Sequence, residues 1–352
     1  MTVKKKKRRL NGRFLALVFA SIMIILSIFK VPKFINTNKL TDLGYSNEAV
    51  TAIYKKGLKS TIIKNQYYSD YLNQEIVKET FNQKYLRLYL CTSYLDDKYF
   101  NLYEKLKAKK GYSDEEMELL LANLKYDGLT PLLVFDKVEN IEDYIEDYKA
   151  HSSNNKKQIA LSNDYLNQYE NYATIEDPSA EDVFVSSKNY LGEYAPEKLA
   201  PINSQNAING IYMESRALDK YYELCAAIRE ADASMAIYAV GGYISYESQA
   251  ELAMTGTQYI KAGFSDTQTG LGVYVVSSEN ESVSRFNETR AYEWLLKNAH
   301  KYGFIQRFPE GKEALTGHSV TNNYFRYVGV ELATKIYESG LSFDEYYYQY
   351  ID

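Results

Sequence analysis

Apolar positions recur at helical spacing through the first half of the body and then give way to short β-rich runs separated by helices. Between residues 39 and 150, Leu43-Gly44-Tyr45-Ser46-Asn47-Glu48 precedes one apolar-periodic run, and Gly111-Tyr112-Ser113-Asp114-Glu115-Glu116 precedes another. In both, a serine stands as N-cap with acids in the first turn. Ser113 and Glu116 are spaced as a capping box, each side chain satisfying a free backbone N–H of the other. Leu132-Leu133-Val134-Phe135, after Pro131, reads as a short strand, and Ile141 to Tyr148 as a helix. The polar, aperiodic Ser152–Gln158 reads as a linker, with a second break at Asp177-Pro178-Ser179-Ala180. Val183-Phe184-Val185 then predicts the strand that enters the last domain.

From about residue 180 the periods mix. Ala217, Leu218, Tyr221, Leu224, Cys225 and Ile228 form one stripe of a helix. Met235–Val240 is β-rich and is followed by a helix through Ala250, Leu252 and Ala253. Leu271–Val276 and Tyr324–Val328 predict strands. Tyr292, Leu295, Leu296 and Ala299 mark a helix closing at Gly303, and Glu331–Glu338 one ending at Gly340. Without regular strand–helix alternation, the class expected is α+β.

Charge changes the picture at the start of the chain. Seven of the first thirteen residues are Lys or Arg; with a net charge of −5 overall, residues 14–352 carry −12. An acidic body argues against nucleic acid as a partner. The basic start instead precedes Phe14–Phe29, an uncharged run whose polar members are Ser21 and Ser27. Such a helix spans roughly 24 Å, and snorkelling by Arg13 and Lys30 extends it toward the bilayer thickness. Lys30-Val31-Pro32-Lys33-Phe34 offers no small-x-small cleavage site, so an uncleaved anchor is expected. The positive-inside rule places 1–13 in the cytoplasm and the body outside a cell membrane crossed once. The expected organisation is a basic segment 1–13, an anchor 14–31, a mostly helical region 32–150, a linker 151–180 and a final domain 181–352. Two cysteines, Cys91 and Cys225, do not make a disulfide framework. The 36 tyrosines suit half-exposed faces that bury a ring and keep a hydroxyl wet.

Three stretches carry the chemistry: Gly241-Gly242-Tyr243-Ile244-Ser245-Tyr246-Glu247-Ser248-Gln249, Ser265-Asp266-Thr267-Gln268-Thr269-Gly270-Leu271-Gly272-Val273-Tyr274, and Thr321-Asn322-Asn323-Tyr324-Phe325-Arg326-Tyr327-Val328-Gly329. In order and separation they resemble the VanY-type D-alanyl-D-alanine carboxypeptidases, which read S-G-Y-R-S-x-x-x-Q, S-x-H-x-x-G-x-A-x-D and E-P-W-H-F-R-Y-V-G. The resemblance covers roughly residues 180–350, with Trp294-Leu295, His300–Ile305, Arg307-Phe308-Pro309 and Thr316-Gly317 also matching. It implies a VanY/Hedgehog-type DD-peptidase-like domain.

The same resemblance implies that the functional positions are changed. The family's zinc ligands fall on Thr267, Tyr274 and Tyr324, its general base on Thr321, and its first-motif arginine on Ile244. A hydroxyl and neutral phenols are poor zinc ligands, and Thr321 cannot take a proton from water. No zinc or other cofactor is therefore expected. The groove positions are occupied by Tyr243, Ser245, Gln249, Ser265, Gln268 and Thr269, which imply a pocket for a peptide. The expected function is a membrane-anchored pseudopeptidase that binds peptidoglycan stem peptide or a cell-wall protein without hydrolysis. Two alternatives stay open: a working carboxypeptidase with a non-standard site using His318 and Asp266, and a structural spacer whose helical region makes a protein contact. The other histidines are His151, in the linker region, and His300, in a helix.

Overall fold

A computed structural model of the chain describes residues 39–152, 171–208, 210–255 and 260–351. The expected segments 1–13 and 14–31 lie outside them, as does most of the linker. Among the described residues no helix is long and apolar enough to cross a membrane. The chain divides into two compact units, residues 1–100 and 101–352, and the division falls inside the helix Asp97–Lys110.

The first unit is helical, with Asn47–Lys55, Lys59–Asn65 and Asp70–Glu75 as its longer pieces. Ser46 caps the first of these as expected, its hydroxyl accepting from Ala49 N. Leu40, Ala49, Ile53, Ile62, Leu72 and Ile76 are fully buried in it.

The second unit begins with helices that include Asp114–Asn123 and Ile141–Ser152. The Ser113–Glu116 capping box is present, with Ser113 N donating to Glu116 Oε2 at 2.6 Å and Glu116 N to Ser113 Oγ at 3.2 Å. The strand expected at Leu132–Phe135 does not form; a 3-10 helix spans Thr130–Leu133 with Pro131 in its first turn. A short run apolar at every position has no period of its own, and here all of it is buried among helices.

The remainder is α+β. Four strands, β1 (Ile237–Gly241), β2 (Gly272–Ser277), β3 (Phe304–Phe308) and β4 (Thr321–Tyr327), form one sheet in the order β1-β2-β4-β3. All three pairings are antiparallel, with register shifts between Ala239 and Gly241 and between Gln306 and Phe308. Helix α1 (Ser215–Ala231) buries the expected stripe from Ala217 to Ile228 against one face. Because side chains alternate along a strand, Val273, Val275, Phe325 and Tyr327 join that core, while Gly272, Tyr274, Tyr324 and Arg326 face the other way. Helices α2 (Tyr246–Thr255), α3 (Arg290–Asn298) and α4 (Val330–Ser339) flank the sheet in sequence. Cys225 is buried, its thiol pushed up to about 12 by burial, and neither it nor Cys91 is in a disulfide.

The strand expected at Val183-Phe184-Val185 does not form. The segment's carbonyls are taken by side chains instead: Arg326 Nη2 donates to Val183 O at 2.9 Å and Arg307 Nη2 to Val185 O at 3.1 Å. Five guanidinium donors in a planar fork satisfy backbone acceptors as a neighbouring strand otherwise would.

Candidate functional site

The far face of the sheet holds the candidate site. Tyr274 and Tyr324 are register partners on β2 and β4, their ring centroids 4.4 Å apart. A single 3-10 turn, Asp266–Thr269, lies against them and closes on Gly270, whose φ of +70° is left-handed. Tyr324 Oη donates to Asp266 Oδ2 at 2.9 Å. Arg326 Nε donates to Asp266 Oδ1 at 3.2 Å, and Arg307 Nε stands 3.8 Å from the same oxygen. Arg307 is also paired with Asp344. Of these six side chains five are nearly or wholly buried, and Tyr274 is half-buried. Buried charges persist where each is matched, and this cluster supplies two arginines against two aspartates.

Of the five altered positions, four come together. Thr267, Tyr274 and Tyr324 meet around the Asp266 turn, and Ile244 joins Thr267 through its N–H to the Thr267 carbonyl at 3.4 Å. Thr321 sits at the start of β4, where the register shift intervenes, and its hydroxyl donates to Ser319 O at 3.1 Å.

The chemistry of this donor set does not fit zinc. Burial, and then the charge of Asp266, push the Tyr274 phenol up to about 12 and Tyr324 well above its ordinary value. Both phenols are neutral at ordinary pH, and a neutral phenol is a poor zinc ligand. The Thr267 hydroxyl shares a 2.7 Å hydrogen bond with Ser265. Among the described residues no group of three or more His, Cys, Asp and Glu side chains is placed to hold a metal ion. The alternative built on His318 and Asp266 meets the same obstacle. His318 packs on Phe308 at 4.3 Å, its imidazole lowered to about 4 by burial and then by Arg307, while Asp266 is already engaged on both oxygens. His300 stacks on Tyr337 at 3.8 Å, and His151 falls in the helix Ile141–Ser152.

The six groove positions divide. Gln268 is fully buried: its Nε2 donates to Gly192 O and Tyr194 O at 2.8 Å each, and its Oε1 accepts from Gly263 N at 3.1 Å. Thr269 bridges Asp266 O and Leu271 N, and Gln249 Nε2 donates to Ile260 O at 2.7 Å. Ser265 is buried with Thr267. These four were expected to line a groove and instead hold the loops in shape, because a loop packed inside needs side-chain partners for its main chain. Tyr243 and Ser245 remain half-exposed beside Ile244, and Ser245 Oγ accepts from Ser248 N at 3.2 Å.

The motif reading assigned no role to Arg307 or Asp344, and Gly272, which the sequence suggests as a turn glycine, lies inside β2. A lone charged residue in a short, mostly apolar strand, as in Phe304-Ile305-Gln306-Arg307-Phe308, was the available signal.

Residues 210–330 match the family described as VanY, D-alanyl-D-alanine carboxypeptidase. A putative carboxypeptidase, YodJ of Bacillus subtilis (strain 168), is 29% identical over 216 residues, 56% of this chain and 78% of that protein. A D-alanyl-D-alanine carboxypeptidase of Enterococcus faecalis is 39% identical over 115 residues, 33% of this chain and 40% of its own length. Among solved structures, the LdcB LD-carboxypeptidase aligns with a TM-score of 0.47 and 27% identity, covering 52% of this chain and 96% of that one.

Proposed function

We propose that this protein binds peptidoglycan stem peptide outside the cell without hydrolysing it, held at the membrane by residues 14–31. The observation that carries the reading is the Tyr274–Tyr324 pair tied to Asp266 where the family pattern places metal ligands. A zinc peptidase needs three ligands, an open water position and a base for that water. Thr267, Tyr274, Tyr324 and Thr321 supply none of these. The surrounding frame of the family is retained, and relatives named for D-alanyl-D-alanine carboxypeptidase activity support a peptide ending in D-alanine as ligand. Tyr243 and Ser245, half-exposed beside Ile244, are the polar groups on the rim for such a peptide.

The membrane reading rests on the basic block before Phe14 and on the absence of charge through Phe29. Intact-mass measurement of the membrane-extracted protein checks it: an N-terminus beginning after residue 30 replaces the anchor by a cleaved signal peptide.

The decisive experiment combines metal analysis with two functional readouts on the full-length protein. Less than stoichiometric zinc, retention on purified sacculi and no release of D-alanine are expected. One zinc per chain together with D-alanine release makes it a carboxypeptidase. Neither retention nor release makes it a spacer.

A further inference from the structure

Gly272 lies inside β2, and its φ is not positive, so the backbone there does not require glycine. Glycine within a strand gives up side-chain packing and costs conformational entropy, and it is expected where something approaches closely. Here that neighbour is Tyr324. A Cβ added at residue 272 would overlap the Tyr324 hydroxyl oxygen and lie 2.8 Å from its Cε2. The family pattern given above carries alanine at this position.

The Tyr324 ring has nowhere to retreat. Tyr274 packs on it at 4.4 Å, Phe308 lies nearly parallel at 5.8 Å, and the hydroxyl is bound to Asp266 at 2.9 Å. The ring is fully buried. Asp266 opens the turn that carries Thr267, and the main chain of that turn is otherwise closed by Gln268 N to Ser265 O at 3.1 Å and Gly270 N to Thr267 O at 3.2 Å.

We infer that Tyr324 is a built-in tether, with Gly272 as the notch that admits it: the phenol crosses from β4 over β2 and fixes the Asp266–Thr269 turn to the sheet through the Asp266 carboxylate. The side chain does by hydrogen bonding and packing what a shared ion does by coordination, joining one turn and two strands at one point. Tyr324 is thus a positioning residue, and the assignment concerns how the turn is held, whichever ligand the protein binds.

The test is a set of variants in the full-length protein, read by amide hydrogen exchange of peptides covering residues 263–277, with α1 peptides as the internal reference. Tyr324→Phe keeps the ring and removes the tether; exchange in the Asp266–Thr269 turn is expected to accelerate on the order of tenfold, with α1 unchanged. Gly272→Ala is expected to accelerate the same peptides and lower Tm by about 2–10 °C. In a Tyr324→His background, where no phenol reaches residue 272, adding Gly272→Ala should cause no further loss. Two results overturn the inference: unchanged exchange in Tyr324→Phe, or an equal penalty for Gly272→Ala in both backgrounds. Should Gly272→Ala alone fail to fold, recovery of folding in the double variant supports the tether, and failure there as well overturns it.

Discussion

On the face of the sheet that meets α1, Val273, Val275, Phe325 and Tyr327 are buried among side chains without formal charge. On the opposite face Asp266, Arg307 and Arg326 are buried just as deeply, and all are charged. The first face is held by packing, which is non-directional and tolerates exchange of like volumes. The second is held by a closed set of charge-assisted hydrogen bonds, where removing one member strands the others. The difference teaches that one sheet can hold its two sides by different means: the strands stay in place for one reason, and the loop above them for another.

The sharpest way to break this contrast is Asp266→Ala, which deprives Arg326, Tyr324 and Arg307 of a shared partner. A loss of about 3–5 kcal/mol is expected in denaturant unfolding followed by the fluorescence of Trp294, the chain's one tryptophan. Asp266→Asn should retain much of that loss although its volume is nearly unchanged.

On the packed face, Leu224→Ala is expected to cost about 3 kcal/mol and Leu224→Met less than about 1.5 kcal/mol. Equal sensitivity to volume-conserving changes on both faces would erase the distinction.

Acid should act on the charged face first. The folded His318 value of about 4 lies below the unfolded value near 6.5, so its contribution is present above pH 6.5 and lost as pH falls toward 4. The groups that set it are Arg307, which disfavours the imidazolium, and Asp266, which favours it. A decline on the order of 1–3 kcal/mol across this window is expected, and His318→Asn should flatten it.

A smaller effect is expected from Lys312→Met. Lys312 bridges Asp127 and Glu345 at 2.7 Å each, and Glu345 is fully buried, with Ser342 N and Oγ still bonded to it. A loss of about 1–2 kcal/mol is expected. The smallest effect is predicted for chelation: EDTA should leave the Tm of the natural sequence unchanged, because a ligand stabilises a fold only where it binds.

What the sequence disclosed follows the same division. The α1 stripe and the Ser113–Glu116 box are local patterns with a period or a fixed spacing, and both appear in the structure. Three of the four strands of the sheet were legible to within three residues, whereas Phe304–Phe308 was not expected as a strand. Leu132–Phe135 was not legible, since an apolar run without period fits a buried helix as well as a strand. Val183–Val185 failed for a non-local reason: its carbonyl partners lie 143 and 122 residues away on arginines. Gln249, Gln268 and Thr269 have the chemistry of ligand contacts, and only their burial reveals that their partners are main-chain atoms of the protein itself.

The ties between Tyr126 and Gln349, and between Asp127, Lys312 and Glu345, set an order of events during synthesis. Gln349 Nε2 reaches Tyr126 Oη at 2.6 Å across 223 residues of chain. At about 5–20 residues per second the ribosome needs on the order of 10–45 s to make that interval. Over that time the surface around Tyr126 has no native cover, and closing so long a loop comes late in folding. Nascent chains halted before residue 312 should therefore bind holdase chaperones through residues 101–152, and release them once the last forty residues emerge.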